Sequence, residues 1–247
     1  MSSPSFYALI AGVGSGIGRA TALRFARTYP VVLVARNADS YSSLVDEIKA
    51  SGGKAIGVAA DVSRPDAMRS AFETIQKEIK GSKLAAAIYN VNSGFVMKPF
   101  LDIKQEELEL GLDGTARGFF NFAQQTTPLL LQSVGESNHP PTLIATGATA
   151  STKASANFAS FAAGKFALRA LSQLIAKEFS PEGIHVAHVI VDGIVDTPSA
   201  KKLGLNNDVE DGRISTEAIA ESYSYLHSQG RSAFTHEIDL RPYTEKF

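Results

Sequence analysis

The sequence predicts an α/β fold, a doubly wound and mostly parallel sheet with helices on both faces, in one domain over residues 1–247. Three observations predict it. Strand-like and helix-like segments alternate almost without exception. Val31–Ala35 is a continuous β-branched and apolar run, the pattern of a strand covered on both faces. A glycine-rich turn, Gly12 to Gly18, joins the first such strand to the first helix.

Taken in order, Phe6–Ala11 is a short apolar strand stopped by glycine, and helical spacing runs from Ile17 to about Arg27. After the Val31–Ala35 strand, Leu44 and Ile48 mark a helix that stops at Gly52–Gly53. Ala55–Ala60 is the third strand. Ser63 is expected to cap the next helix, with Asp66 three residues later, and that helix runs to about Lys80. Leu84–Tyr89 is the fourth strand, followed by two helices around Gln105–Leu112 and Ala116–Ser133. Pro140 and Pro141 force extended backbone into a fifth strand, Thr142–Thr146. A helix over Asn157–Phe179, a strand over His185–Val191, a helix capped by Ser215 and running through Leu226, and an alternating strand over Phe234–Leu240 complete the chain. No internal repeat, low-complexity tract or dividing linker interrupts it.

Composition bounds the function. The formal net charge is −1 with 20% charged residues, so nothing suggests nucleic acid or an anionic membrane as partner. Cysteine is absent, which excludes disulfides, thiolate nucleophiles and Cys-ligated metals. The five histidines are scattered, with no His-x-x-x-His or carboxylate cluster, so no metal site is expected. No apolar run reaches the roughly 18 residues of a membrane span. Met1–Pro4 is too short and polar for a leader, and a cytoplasmic location is expected.

Two stretches carry the chemistry. Gly12, Gly16 and Gly18 follow the spacing Gly-x-x-x-Gly-x-Gly, with Ser15 and Ile17 between them. Gly12 is suited to the turn, Gly16 to close approach of a pyrophosphate, and Gly18 to helix–strand packing, while the helix N-terminus supplies N–H donors. Asn157–Lys177 is apolar nearly all round, as in a buried or interface helix, and places Phe161 and Lys165 one turn apart on one face.

Together these residues resemble the short-chain dehydrogenase/reductase family, over nearly the whole chain from Tyr7 to about Asp239. The resemblance implies a Rossmann-type fold, a nicotinamide cofactor and a homodimer or homotetramer paired through the two long helices. Arg36 and Asn37 stand after the second strand, where NAD-preferring members carry an acid; an arginine suits a 2′-phosphate, so the expected cofactor is NADP(H). Asp61–Val62 matches the adenine-contacting Asp-Val. Asn90 matches the first residue of Asn-Ala-Gly, whereas Val91 and Asn92 depart from it; a left-handed Asn92 in place of glycine is the plain explanation. Gly193, Ile194 and Thr197 fall in the segment that meets the nicotinamide carboxamide, and a loop at about 194–213 is expected to cover the substrate.

The catalytic landmarks depart. The family signature is Tyr-x-x-x-Lys, and here Phe161 stands at the tyrosine; the serine thirteen residues upstream is Ala148, the supporting asparagine aligns with Thr115, and only Lys165 matches. A phenyl ring exchanges no proton; the resemblance leaves Lys165 its role at the nicotinamide ribose, and Thr149, Ser151 and Asp192 are the candidates to replace the phenol. Asp192 replaces the usual proline before Gly193, and is either a turn aspartate or an acid made weaker by desolvation. Phe95, Met97 and Phe158 suggest an apolar pocket. The charges of residues 235–242 read as the polar face of an edge strand. Three functions stay open: an NADP(H)-dependent oxidoreductase of a small apolar carbonyl or imine with a displaced proton donor, a non-redox cyclase, isomerase or lyase, and a catalytically inactive NADP(H)-binding protein.

Overall fold

The computed structural model describes residues 5–92 and 94–245; Met1–Pro4 lies outside them. Among these residues seven strands form one parallel sheet in the order β3-β2-β1-β4-β5-β6-β7. The strands are β1 Phe6–Ala11, β2 Val31–Ala35, β3 Ala55–Ala59, β4 Lys83–Tyr89, β5 Thr142–Thr146, β6 His185–Val191 and β7 Glu237–Leu240. The sheet order reverses between β1 and β4, so the crevice at their C-terminal ends is the place where such sheets bind ligands.

Period-two alternation in the central strands makes two cores. Tyr7, Leu9, Val32, Val34, Leu143 and Ala145 face one side; Ala8, Ile10, Val31, Leu33, Ile88 and Ile144 face the other. The first side is covered by α3 (Pro65–Glu78), α5 (Gly118–Leu131) and α6 (Ala159–Phe179), through Phe72, Ile75, Phe119, Phe122 and Leu168. The second is covered by α1 (Ile17–Ala26), α2 (Ser42–Ala50) and α8 (Thr216–Ser228), through Phe25, Ile48, Ile219 and Tyr223. Strands covered on both faces explain the near-continuous apolar runs.

Several elements differ from expectation, each for a local reason. Ser63 does not cap α3: its N–H and hydroxyl both bond Asp61 Oδ1, at 3.0 and 2.7 Å, and the helix opens at Pro65 with Arg64 before it. Ser215 does cap α8, accepting from Ala218 N at 3.2 Å. The two helices expected around 105–133 are α4 (Gln105–Leu112) and α5, joined without a break by a π turn, Asp113–Arg117. Tyr89 Oη donates to the Gly114 carbonyl there at 2.6 Å. Helix α6 begins two residues late because Asn157 is left-handed, with φ of 71°. Gly111 and Gly164 let α4 and α6 meet backbone to backbone; a Cβ on Gly111 would strike the Ser160 carbonyl, and one on Gly164 the Gly111 carbonyl. The loop after β6 contains a short helix, α7 (Pro198–Lys202), which periodicity had not revealed.

Candidate cofactor and active site

The β1–α1 turn shows why its glycines are spaced as they are. Gly12 has φ of +88°, and any side chain there would run into the Asn90–Val91 backbone. A Cβ on Gly18 would strike the Gly12 carbonyl, so this glycine lets the helix close on its own turn. Gly16 is different: its missing Cβ points past Thr197 Cγ2, 3.0 Å away, at the wall of an open cleft. Gly16 is also the N-cap of α1, with no side-chain cap bond and no acid in the first turn. The first N–H groups of α1 thus face the cleft with a partial positive charge. Asn90 Nδ2 ties the turn down by donating to the Gly12 carbonyl at 3.1 Å.

The cleft has a volume of about 620 Å³, within the usual range for small-molecule sites. Gly12, Gly16, Ile17, Gly18, Arg36, Asn37, Asp61, Val62, Asn90 and Thr197 line it together. Ser15 is exposed and does not line it, and neither do Lys165, Gly193 or Ile194. Ser40 and Asp113 line it without having been anticipated; Ser40 stands four residues after Arg36, close enough in sequence to have been a signal. Asn92 also lines the cleft, but the left-handed non-glycine residues among those described are Asn157, Asn206 and Asp211, so the glycine-substitute explanation for Asn92 fails.

The chemical end lies beside the C-terminal edges of β5 and β6. Lys165 is buried on α6, and its Nζ donates to the Thr146 carbonyl at 2.9 Å. Burial lowers its pKa to about 8. The same Nζ lies 5.8 Å from the centroid of the Phe161 ring, a cation–π distance. Phe161 packs edge-on against Phe95 at 5.7 Å, and Phe95 stacks on Phe158 at 5.4 Å. These three rings make an aromatic wall next to Gly94 and Leu110 of the cleft, with Phe95 and Met97 largely exposed.

Asp192, expected as either a turn aspartate or a desolvated acid, stands in an ion pair. It is buried, and its Oδ2 bonds Arg241 Nη2 at 2.8 Å while its Oδ1 accepts the Thr149 hydroxyl. Arg241 also holds Asp239 at 2.6 Å. Gly193 carries φ of +144°, and Pro242 and Glu245 pack where its Cβ would be. The segment after β7 therefore covers the turn after β6. The charges of 235–242 are correspondingly not a solvated face: Glu237 bonds Arg169 through both oxygens at 2.7 Å and accepts from His188 Nδ1 at 2.9 Å. Ala148 carries no hydroxyl, and its N–H donates to Ser151 Oγ at 3.1 Å. Thr115 is buried in the π turn.

The histidines are less scattered than their sequence positions suggest. His139 and His227 meet ring to ring at 5.4 Å, and burial lowers the pKa of His227 to about 3. Its nitrogens face Thr142 Oγ1 and Tyr29 Oη, each at 2.9 Å. Among the described residues no group of three His, Cys, Asp or Glu side chains could hold a metal ion. No described helix is long and apolar enough to cross a membrane.

This geometry has known relatives. The family profile of the short chain dehydrogenases matches residues 7–208. The chain belongs to the short-chain dehydrogenase family. It is 26% identical over 247 residues to an uncharacterized oxidoreductase of Listeria innocua, covering 96% of each chain. It is 28% identical over 239 residues to an A-factor type gamma-butyrolactone 1′-reductase of Streptomyces virginiae, covering 92% of this chain and 90% of that one. Among solved structures, a short-chain dehydrogenase from Rhodopseudomonas palustris is 29% identical with a TM-score of 0.77, covering 96% and 99%. A metagenomic short-chain oxidoreductase in complex with NADP shares the fold at a TM-score of 0.81 and 22% identity, covering 99% and 100%.

Proposed function

We propose that the protein is an NADP(H)-dependent oxidoreductase of a small apolar carbonyl or imine, with a proton source other than the usual tyrosine. The observation that carries this reading is the presence in one chain of the open Gly12–Gly18 turn on the cleft and of the buried Lys165, held at the C-terminal end of β5 by the Thr146 carbonyl. A dinucleotide fits the residues present. The uncapped N-terminus of α1 with Gly16 suits the pyrophosphate, and Asp61 with Val62 suits the adenine. Arg36, with Asn37 and Ser40 beside it on the cleft wall, suits a 2′-phosphate, which favours NADP(H) over NAD. Lys165 suits the nicotinamide ribose, and Gly193, Ile194 and Thr197 the carboxamide end. The cofactor supplies or takes a hydride when bound.

The chain's own residues then orient the reactants and exclude water. Losing a positioned general acid costs about 10²–10⁴ in rate, while the benefit of orientation survives. Lys165 is a proton donor of suitable strength, since burial brings its pKa to about 8. Phe161 itself contributes shape, not a proton. The absence of a hydroxyl at both Phe161 and Ala148 supports a second reading, a non-redox enzyme or an inactive NADP(H)-binding protein on the same scaffold. Exposed Phe120 on α5 and exposed Phe166 and Leu174 on α6 favour pairing of two copies through these helices, as a homodimer or homotetramer. We place the protein in the cytoplasm.

Incubation with 4-deuterated NADPH and a metabolite extract, followed by mass spectrometry, tests the reading. Deuterium in a product supports hydride transfer and gives the product's mass. Cofactor bound with no label moved favours the non-redox or sensing alternative.

A further inference from the structure

Three observations bear on which of the two substrate classes the site takes, and the inference rests on the oxidoreductase reading above. The first is hydrogen-bond polarity. Arginine has donors only, and Arg241 bonds one oxygen of Asp192 at 2.8 Å; the hydrogen between Thr149 and the other oxygen belongs to the threonine. With its single hydrogen directed at Asp192, the half-buried Thr149 hydroxyl can act toward any further group only as an acceptor. It is an acceptor backed by a carboxylate. The second is the aromatic wall of Phe95, Phe158 and Phe161, whose ring faces attract cations and whose sides bury flat apolar groups. The third is the lack of a hydroxyl at residues 148 and 161, so neither offers a donor to a carbonyl oxygen.

We propose that the reacting group is a protonated nitrogen, an iminium carbon–nitrogen double bond reduced to an amine, with Thr149 accepting from its N–H and Arg241 acting as the positioning residue that fixes Asp192. The reaction balances without a side-chain acid. A reduced nicotinamide dinucleotide gives a hydride to the iminium carbon, a C–H bond forms, and the π pair becomes the nitrogen lone pair. The dinucleotide is oxidised, and the proton the amine keeps arrived with the substrate. A carbonyl would instead need a proton at the developing alkoxide, and with no hydroxyl at residues 148 and 161 that proton would have to come from Lys165. Lys165 is the cation on the inner side of the same wall, held there by the Thr146 carbonyl.

The test is a binding measurement. NADP-loaded protein is titrated calorimetrically with protonated cyclic secondary amines of one, two and three rings, each paired with the ether that puts oxygen in place of nitrogen. Wild type is expected to bind at least one amine about tenfold more tightly than its ether, the scale of one charge-assisted contact. Thr149→Val, which leaves the Asp192–Arg241 pair intact, is expected to bring that ratio close to one without changing the affinity for NADPH. Ethers that bind as well as every amine would overturn the proposal, and so would an amine preference that survives in Thr149→Val. NADPH binding and deuteride transfer to a ketone, measured in the same preparations, separate the two levels. Their success without amine preference overturns only the nitrogen substrate, and failure of NADP(H) to bind removes the oxidoreductase reading together with it.

Discussion

The Lys165 ammonium lies 5.8 Å from the centre of the Phe161 ring, one helical turn away on the same face of α6, and both are anchored: the lysine on the Thr146 carbonyl, the ring on Phe95. The spacing of an acid–base pair is kept while one member has lost its proton. Restoring the chemistry should therefore need little more than two hydroxyls. Phe161→Tyr combined with Ala148→Ser is expected to raise kcat/KM for ketone reduction by up to about 10²–10⁴, read with a panel of small apolar ketones. No gain with the folded double variant would mean that the cleft presents its substrate elsewhere.

The lysine's burial makes a pH prediction. Its folded pKa is depressed to about 8 from 10.5, so the free protein loses this charge well before an exposed lysine would. NADPH affinity is expected to hold below pH 7 and to weaken as pH rises through about 8. Fluorescence titrations from pH 6.5 to 9.5 check this. Lys165→Met should bind more weakly throughout and show no such inflection.

The two ends of the cofactor cleft should separate cleanly. Gly16→Leu projects into the cleft past Thr197 and is expected to weaken NADPH and NADH binding alike, by at least about tenfold, with little loss of melting temperature. Arg36→Ala, on an exposed residue, is expected to weaken NADPH by about tenfold and leave NADH nearly unchanged. Equal losses for both coenzymes in Arg36→Ala would show that the arginine does not read a 2′-phosphate.

Acid sensitivity should trace to the buried histidines. Burial depresses the pKa of His185, His188 and His227 in the folded chain, that of His227 to about 3. Between about pH 3 and 6.5 the unfolded chain binds more protons, so stability is complete above 6.5 and falls as the pH drops through that window. Urea unfolding at a series of pH values measures the slope. His227→Gln is expected to flatten it, at some cost at neutral pH because Thr142 and Tyr29 lose a shared partner.

The layered fold was legible in the sequence because the central strands carry apolar residues on both faces and the glycines of the first turn have a steric reason. Gly12 and Gly18 are forced by backbone contacts that few other residues would permit. Lys165 was legible as a match to a spacing. The Asp192–Arg241 pair was not, since the residues are 49 apart and only the parallel pairing of β6 with β7 brings them together. For the same reason Glu237 read as a surface charge, although it reaches across to His188 and Arg169. Ser63 misled because a hydroxyl before Pro65 suits a helix cap and an aspartate turn equally well, and Asp61 was nearer.

The π turn at Asp113–Arg117 sets a phase as well as a path. An α-helix advances about 100° per residue, so shortening this turn by one residue would rotate α5 by that angle against α4. Phe120, now exposed, would take the buried place of Phe119, Phe122 would take the half-buried place of Asn121, and Phe119 would be driven into the buried place of Gly118, where Tyr89 and Val62 leave no room. Substitutions along this stretch change its surface, but a change of one residue in its length turns every side chain of α5 by more than a quarter of a circle.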